Sequence, residues 1–457
     1  MHDDHGLVSL ISAISLALSI LFPLYVLAII TPFLTRKFGH PGQADQYQWH
    51  FFVPCRDEEA VIGGTLGYLR KTLPSAHVWV IDDDSDDATA DIVKRHAEND
   101  PMVHLVQRRR PNARLGKGEA LNAAYRKLSA WLPLGTDRKQ VMVCVVDADG
   151  RPAANCLEAV SGRRFFGNPE VGAVQIEVRM VNRSVWENEP GRSRARNFYS
   201  RQLVRMQDLE FRAPIAAIQH ARKYSQSVSL GGNGQFARLS ALDALRQEYS
   251  RPWTGRLLED FELGMHMLLT GHVNTYCTDT YVDQEALFST RRFITQRTRW
   301  AQGVMQCFKY LRAAWSSDKI SNLGLLEIGY YLFQPWLQLF GAVLYPLPFV
   351  LLAITSVRDP HAAHVFLASG GWIPLAVMLG LGILQFAIWG PLYRWKCEPS
   401  SSWRQAIGWG FAYVLYLLFL YIVSWRAVWR MVRRKGGWAK TRRNAEVITS
   451  GPVAQEA

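Results

Sequence analysis

The sequence predicts an α/β domain with a mostly parallel sheet, carried on interfacial amphipathic helices and transmembrane α-helices. Three observations predict it. From about residue 49 to residue 146, short runs rich in β-branched and aromatic residues alternate with segments of helical period. Residues 7–34 contain no charge, and three more apolar stretches crowd between Leu323 and Val432. The chain has 457 residues, beyond the roughly 250–300 at which one hydrophobic core stops growing. A composition 49% hydrophobic and only 20% charged also excludes a disordered chain.

The first element, residues 7–34, is preceded by the acidic MHDDHG, lacks a small-x-small cleavage site and is followed by Arg36 and Lys37. It reads as a permanent transmembrane anchor with its N-terminus outside and the following chain in the cytosol. A soluble domain is expected over 45–287. Its strands are WHFFVP, HVWVID, MVHLVQ and VMVCVV, each ending in polar turn residues. Strands joined by crossover helices form a sheet covered on both faces, which binds ligands beyond the carboxyl ends of its strands. A polar helical region from Glu189 to Ser225, the turn LGGNGQF and the helix-like EDFELGMHMLL complete this domain.

Residues 288–318 form the next region. Within 288–314 there are six Lys/Arg, no acid, and interleaved Phe, Ile, Trp, Val, Met and Leu. An amphipathic helix at the membrane interface fits that pattern, with a solvated helix of the soluble domain as the plainer alternative. Transmembrane helices are then expected over 323–432 and a basic tail over 433–457. Residues 323–357 would reach about 50 Å as continuous helix, more than the hydrocarbon thickness of about 30 Å. Pro335, Pro346 and Pro348 divide that stretch into an interfacial piece and a span, or into a hairpin. Arg426 to Arg443 holds eight Lys/Arg and no acid, so an even number of C-terminal crossings, with a cytosolic tail, is expected. The excess of 52 Lys/Arg over 39 Asp/Glu gathers beside apolar segments, which suits anionic lipid headgroups and not nucleic acid. The six cysteines have neither zinc spacing nor a disulfide pattern and read as free thiols.

Acidic residues cluster where ligands are expected. The second strand runs into Asp82, Asp83, Asp84, Asp86 and Asp87. Such a run is either a ligand-facing group or a solvated turn, and Asp87 also suits a helix cap. The fourth strand ends in Asp147 and Asp149, whose i, i+2 spacing lets both approach one hard divalent cation. Gly116-Lys117-Gly118 resembles a phosphate loop, but Gly118 replaces the hydroxyl residue of the nucleotide-triphosphate motif, which disfavours an ATPase. Lys117 still offers a point charge to a diphosphate. Glu259 and Asp260 open a helix. Trp300 beside Arg299 offers a flat apolar face next to a guanidinium, or an interfacial anchor.

In their order along about residues 50–315, these segments resemble the family 2 glycosyltransferases, in particular the membrane-integrated processive branch of cellulose, chitin and hyaluronan synthases. The matching motifs are VPCRDEE at Val53 to Glu59, IDDDSDD at Ile81 to Asp87, Asp147-Ala148-Asp149, Leu258-Glu259-Asp260, and Gln296 to Trp300. This chain departs by Asp84 where the family has Gly, Asp57 for Asn and Leu258 for Thr. The resemblance implies a cytosolic GT-A nucleotide-sugar domain in a multi-pass plasma-membrane protein. Pro54, Arg56, Glu58, Asp82, Asp83, Lys117, Asp147, Asp149 and Arg299 would bind a UDP-sugar donor, either UDP-glucose or UDP-N-acetylglucosamine. Asp149 and Asp147 would hold Mg²⁺ or Mn²⁺, Asp260 would act as catalytic base, and Glu259, Gln296 and Trp300 would meet the acceptor. The implied reaction is processive, inverting synthesis of a β-linked polysaccharide extruded through the enzyme's own membrane helices. The alternative is transfer of one sugar to a lipid acceptor.

Overall fold

The computed structural model describes residues 3–183, 193–255 and 257–435, so most of the expected basic tail and the start of the polar region at Glu189 lie outside the described residues. The strands are β1 (Gln48–Cys55), β2 (His77–Asp83), β3 (Val103–Arg108), β4 (Val141–Val145), β5 (Arg151–Pro152), β6 (Val171–Met180), β7 (Gln235–Arg238) and β8 (Val273–Gln284). They form one sheet of eight strands in the order β3-β2-β1-β4-β7-β6-β8-β5. The first four neighbours are parallel, as are β6 and β8, whereas β7 runs antiparallel to both β4 and β6. This is the expected mostly parallel α/β sheet.

Successive residues of a strand face opposite sides, and β1 uses both. Phe51 and Val53 bury against α2 (Ile62–Thr72) and α3 (Thr89–Asn99), while Phe52 faces α4 (Lys117–Trp131). The short α5 (Cys156–Val160) joins the first face. On the second face lie α8 (Leu239–Tyr249) and α9 (Glu259–Leu269); between the two groups in sequence come α6 (Arg194–Glu210) and α7 (Ala216–Ser225). At the amino ends of β1, β2 and β3 the rings of His50, His77, Trp79 and His104 stack beside Trp131. His77 Nδ1 and His104 Nε2 are 3.0 Å apart, and Trp79 Nε1 donates to His50 Nδ1. All six cysteines are free thiols.

A π-helix over Phe211–Ile215 joins α6 to α7. Pro214 within it has no N–H to donate, and the wider turn absorbs that defect. Against α7 lies α1 (Asp3–Leu34), with Val26, Ile29, Ile30 and Phe33 buried beside Ala213, Ala216 and Ala217.

The expected amphipathic region is α10 (Thr290–Cys307) followed by α11 (Tyr310–Trp315). Phe293, Val304 and Cys307 of α10 meet protein, while Arg291, Thr295, Gln306 and Lys309, with Arg312, Ala313 and Trp315 of α11, are exposed. Next come α12 (Asn322–Leu344), α13 (Leu347–Arg358), α14 (Pro360–Ala368), α15 (Trp372–Ala387), α16 (Trp389–Cys397) and α17 (Trp403–Val432). A turn at Tyr345 and Pro346 separates α12 from α13, as the prolines led one to expect, while Pro335 stays inside α12; taken together, Asn322–Arg358 is one apolar stretch. Pro346 and Pro348 sit at the first turn of α13, where a missing N–H costs least. Among the described residues, three helices are long and apolar enough to cross a membrane: Asn322–Arg358, Trp372–Cys397 and Trp403–Val432.

Ion pairs fasten these helices to the sheet domain. Glu398, between α16 and α17, accepts from Arg212 Nη1 at 2.6 Å, and Arg212 also pairs with Asp208 of α6 at 3.0 Å. Along α17, the Arg205 guanidinium lies 5.0 Å from the Trp409 ring, Tyr416 donates to Glu210 at 2.7 Å, and Phe293 packs on Phe419. At its end Arg430 Nε donates to Gln302 Oε1 at 2.8 Å.

Candidate active site

Beyond the carboxyl ends of β1, β2 and β4 lies a cavity of about 470 Å³. Of the expected site residues, Pro54, Arg56, Glu58, Asp83, Lys117, Asp147, Glu259, Asp260, Gln296, Arg299 and Trp300 line it. Asp82 and Asp149 do not. Asp82 is fully buried and accepts from Ser85 N and Arg109 Nη1, each at 3.0 Å, so it holds the turn together. Adjacent strand residues face opposite ways, so only one of the two aspartates reaches the ligand side.

The rest of the acidic run is structural. Asp87 Oδ1 accepts from Thr89 N at 3.0 Å and so satisfies the first N–H of α3, although the cap position itself is Ala88. Asp57 Oδ1 accepts from Asp86 N at 2.8 Å, stitching the loop after β1 to the loop after β2. Asp84 has φ of +64°, the left-handed region where a glycine is cheapest and Asp is among the residues that tolerate it. Its carboxylate lies 2.9 Å from Arg110 Nε and 3.2 Å from Arg114 Nε, which offsets the extra negative charge that this position brings. Asp83 pairs with Arg108 and accepts from Arg114 N at 3.1 Å, while burial pushes its carboxyl above the ordinary range.

Lys117 opens α4. Its Nζ donates to Asp147 Oδ1 at 2.6 Å and Gly232 O at 2.7 Å, and lies 4.0 Å from Glu259. Burial pulls its pKa down, but the carboxylates of Asp147 and Glu259 carry it above the ordinary value, so it stays a cation. Gly118 lets this first turn approach the Gly255 carbonyl, since a Cβ there would lie 3.0 Å from that oxygen. Asp260 stands in the first turn of α9, where helix N-termini favour anions. Burial, with Glu259 alongside, nevertheless raises its carboxyl to about 7. Burial raises Glu259 as well. Gly232, in the LGGNGQF turn, keeps open the space between them: a Cβ there would lie 3.1 Å from Lys117 Nζ and 3.2 Å from Asp260 Oδ2.

Trp300 is held from behind. The Arg297 guanidinium lies 4.4 Å from the centre of its ring, and the Phe211 ring meets it edge-on. Arg297 is buried in a forked pair with Glu210, its Nη1 3.2 Å from Oε1, and Tyr416 closes the group. Sequence reasoning missed Glu210, Arg297 and Gly232. The second Arg of the Gln296 to Trp300 segment and the doubled glycine of LGGNGQF were the available signals.

Asp149 is buried beside the cavity and accepts from Glu285 N at 3.2 Å. Among the described residues no group of three or more His, Cys, Asp or Glu side chains is set to hold a metal. Two carboxylates at a strand exit supply hard oxygens and leave the rest of a coordination shell to phosphate, which is how Mg²⁺ and Mn²⁺ are commonly bound. The donor set therefore fits such an ion.

Comparison with known proteins agrees with this geometry. A family model described as glycosyltransferase like family 2 matches residues 48–303. A β-monoglucosyldiacylglycerol synthase of Synechocystis sp. is 27% identical over 408 residues, covering 85% of this chain and 73% of that protein. A probable glycosyltransferase of Bacillus subtilis, YdaM, is 25% identical, with 86% of each chain covered. The structure of a mannosyltransferase from Pyrobaculum calidifontis in complex with GDP-Man and Mn²⁺ superposes with a TM-score of 0.52 at 19% identity, covering 89% of this chain and 98% of that one. That likeness shows the GT-A-like fold.

Proposed function

This chain belongs to the family 2-like glycosyltransferases, and from that premise we propose that it moves one sugar from a UDP-sugar to a hydroxyl of a membrane lipid. One observation carries the reading. The cavity that holds Asp260 and Trp300 is also lined by Tyr330, Gln334 and Gln338 of α12, Leu420 and Val423 of α17, Ile215 of the π-helix and Ile218 of α7. Two amides and several aliphatic side chains from helices of the apolar region thus share one wall with the catalytic residues, a mixture that suits a lipid with a polar head. The named activity of the Synechocystis relative supports a lipid acceptor over the polysaccharide of the first expectation.

In this reading the donor lies across the strand ends, with Asp83 toward the nucleoside and Lys117 and Arg299 toward the diphosphate. The acceptor oxygen attacks the anomeric carbon as the bond from that carbon to the diphosphate oxygen breaks, and the nucleotide leaves with the electron pair. Asp260 takes the hydroxyl proton, so a buried carboxylate near neutrality is well matched to the step. One displacement inverts the anomeric centre. Mg²⁺ or Mn²⁺ on Asp149 and Asp147, when bound, would supply Lewis-acid help to the leaving diphosphate. Trp300 would stack on the transferred sugar's apolar face, and Glu259 and Gln296 would flank the acceptor. In this reading the catalytic domain faces the cytosol from the plasma membrane.

The test is incubation of membranes with radiolabelled UDP-sugars, followed by separation of organic-extractable lipid from insoluble polymer. Label is expected in a lipid carrying one sugar. Label confined to long chains that a β-glycanase degrades would restore the polysaccharide reading.

A further inference from the structure

Length and composition mark α17 as a crossing helix, but its contacts argue otherwise. From Trp409, on Arg205, to Arg430, on Gln302, one side of the helix rests on α6 and α10, while α12, α15 and α16 meet it at single levels, as at Ser424 on Gln338 and Gly410 on Ala387. At 1.5 Å per residue that stretch covers about 32 Å, as much as the whole hydrocarbon core of about 30 Å. A helix that crossed the bilayer would leave a domain on one side within a turn or two. Nor do α6 and α10 follow it into hydrocarbon. Arg194, Arg196 and Arg201 of α6 and Arg291 of α10 are exposed, and exposed guanidinium groups are strongly disfavoured there.

Both ends of α17 are fastened to the same domain, through Glu398 on Arg212 just before it and Gln302 on Arg430 and Lys435 O just after. Its other face carries Ile407, Phe411, Leu415, Leu418, Ile422, Trp425 and Trp429, all exposed, at spacings of three or four residues that make one stripe.

We infer that α17 is an in-plane membrane helix, lying in one leaflet's surface with this stripe against acyl chains and its opposite face under the catalytic domain. Its partner is the lipid bilayer itself. Two crossings, Asn322–Arg358 and Trp372–Cys397, then follow the catalytic domain, and the chain after α17 stays on the domain's side. The basic run from Arg426 to Arg443 accords with that side, since such runs stay cytosolic.

The experiment uses the full chain in sealed vesicles of both orientations, in a Cys397→Ser background in which the other cysteines are buried. Single substitutions Asn99→Cys, Ser369→Cys, Ser400→Cys and Arg434→Cys are probed with a membrane-impermeant maleimide. Residues 99, 400 and 434 should label from one side and residue 369 from the other. Labelling of 400 and 434 from opposite sides would overturn the inference. As a second measurement, nitroxides at Phe411→Cys, Leu418→Cys and Trp425→Cys should report equal depth, whereas a maximum at 418 with shallower flanks would mean a crossing.

Discussion

Asp260 sets the pH behaviour expected of transfer. Burial raises its carboxyl to about 7, and a general base works only when ionised, so kcat/KM should rise as pH passes upward through about 7 and level off above it. Asp260→Asn keeps the shape and removes the base. It should lower kcat by about 10²-fold or more, with nucleotide affinity measured by calorimetry held within a few-fold. If the variant turned over normally, Glu259 would be the next base to examine. Most of this constellation was legible in the sequence because short motifs at strand exits keep their order along the chain. The choice between Asp82 and Asp83 was not, because it depends on which face of β2 meets the cavity. The partnership of Glu210 with Arg297 joins positions 87 apart, and no local spacing records it.

Between elements, the forked pair of Glu210 and Arg297 ties α6, α10 and α17 together behind Trp300. Glu210→Gln would leave the Arg297 guanidinium buried without its counter-charge, a loss of about 3–5 kcal/mol for such pairs, visible as a lower Tm in detergent. The double variant Glu210→Gln with Arg297→Met should recover much of that stability while leaving Trp300 less firmly placed. A second coupling lies at the far end of the sheet. Burial lowers His50 to about 3 and His104 to about 4, so both are neutral in the fold, while the unfolded chain takes up protons from about pH 6.5 downward. Stability is then full above about 6.5 and falls as pH drops toward 4, because the unfolded state binds more protons. Thermal melts between pH 7.5 and 5, within roughly that window, should show the fall, and His104→Gln should flatten it. The first four strands and their mostly parallel sheet were readable from short apolar runs, whereas the order of the eight strands was not. That three histidines would stack across β1, β2 and β3 required the register, which those runs do not specify.

At the scale of the whole molecule, the expected metal requirement is testable without knowing the acceptor. Excess EDTA should abolish transfer and Mg²⁺ or Mn²⁺ should restore it, and Asp149→Ala should stay inactive at any concentration of either ion. Activity that survives chelation would leave Lys117 and Arg299 to carry the diphosphate charge alone. Hydropathy located the three apolar stretches Asn322–Arg358, Trp372–Cys397 and Trp403–Val432, yet it did not tell what each apolar face would meet. Part of α17's apolar surface, including Tyr413, Tyr416 and Val423, is spent on protein, and composition scores those residues the same as the ones left exposed. The wall that α12 and α17 contribute to the cavity has a kinetic consequence of its own if it receives a lipid. A nucleotide-sugar arrives through a volume and is counted in moles per litre, whereas a lipid arrives along a surface and is counted as a mole fraction of that surface. Diluting the bilayer with an inert phospholipid would therefore slow turnover even when total acceptor, total enzyme and donor concentration are all unchanged. The enzyme would sense the crowding of its own leaflet, and its output would track membrane composition and not the size of the lipid pool.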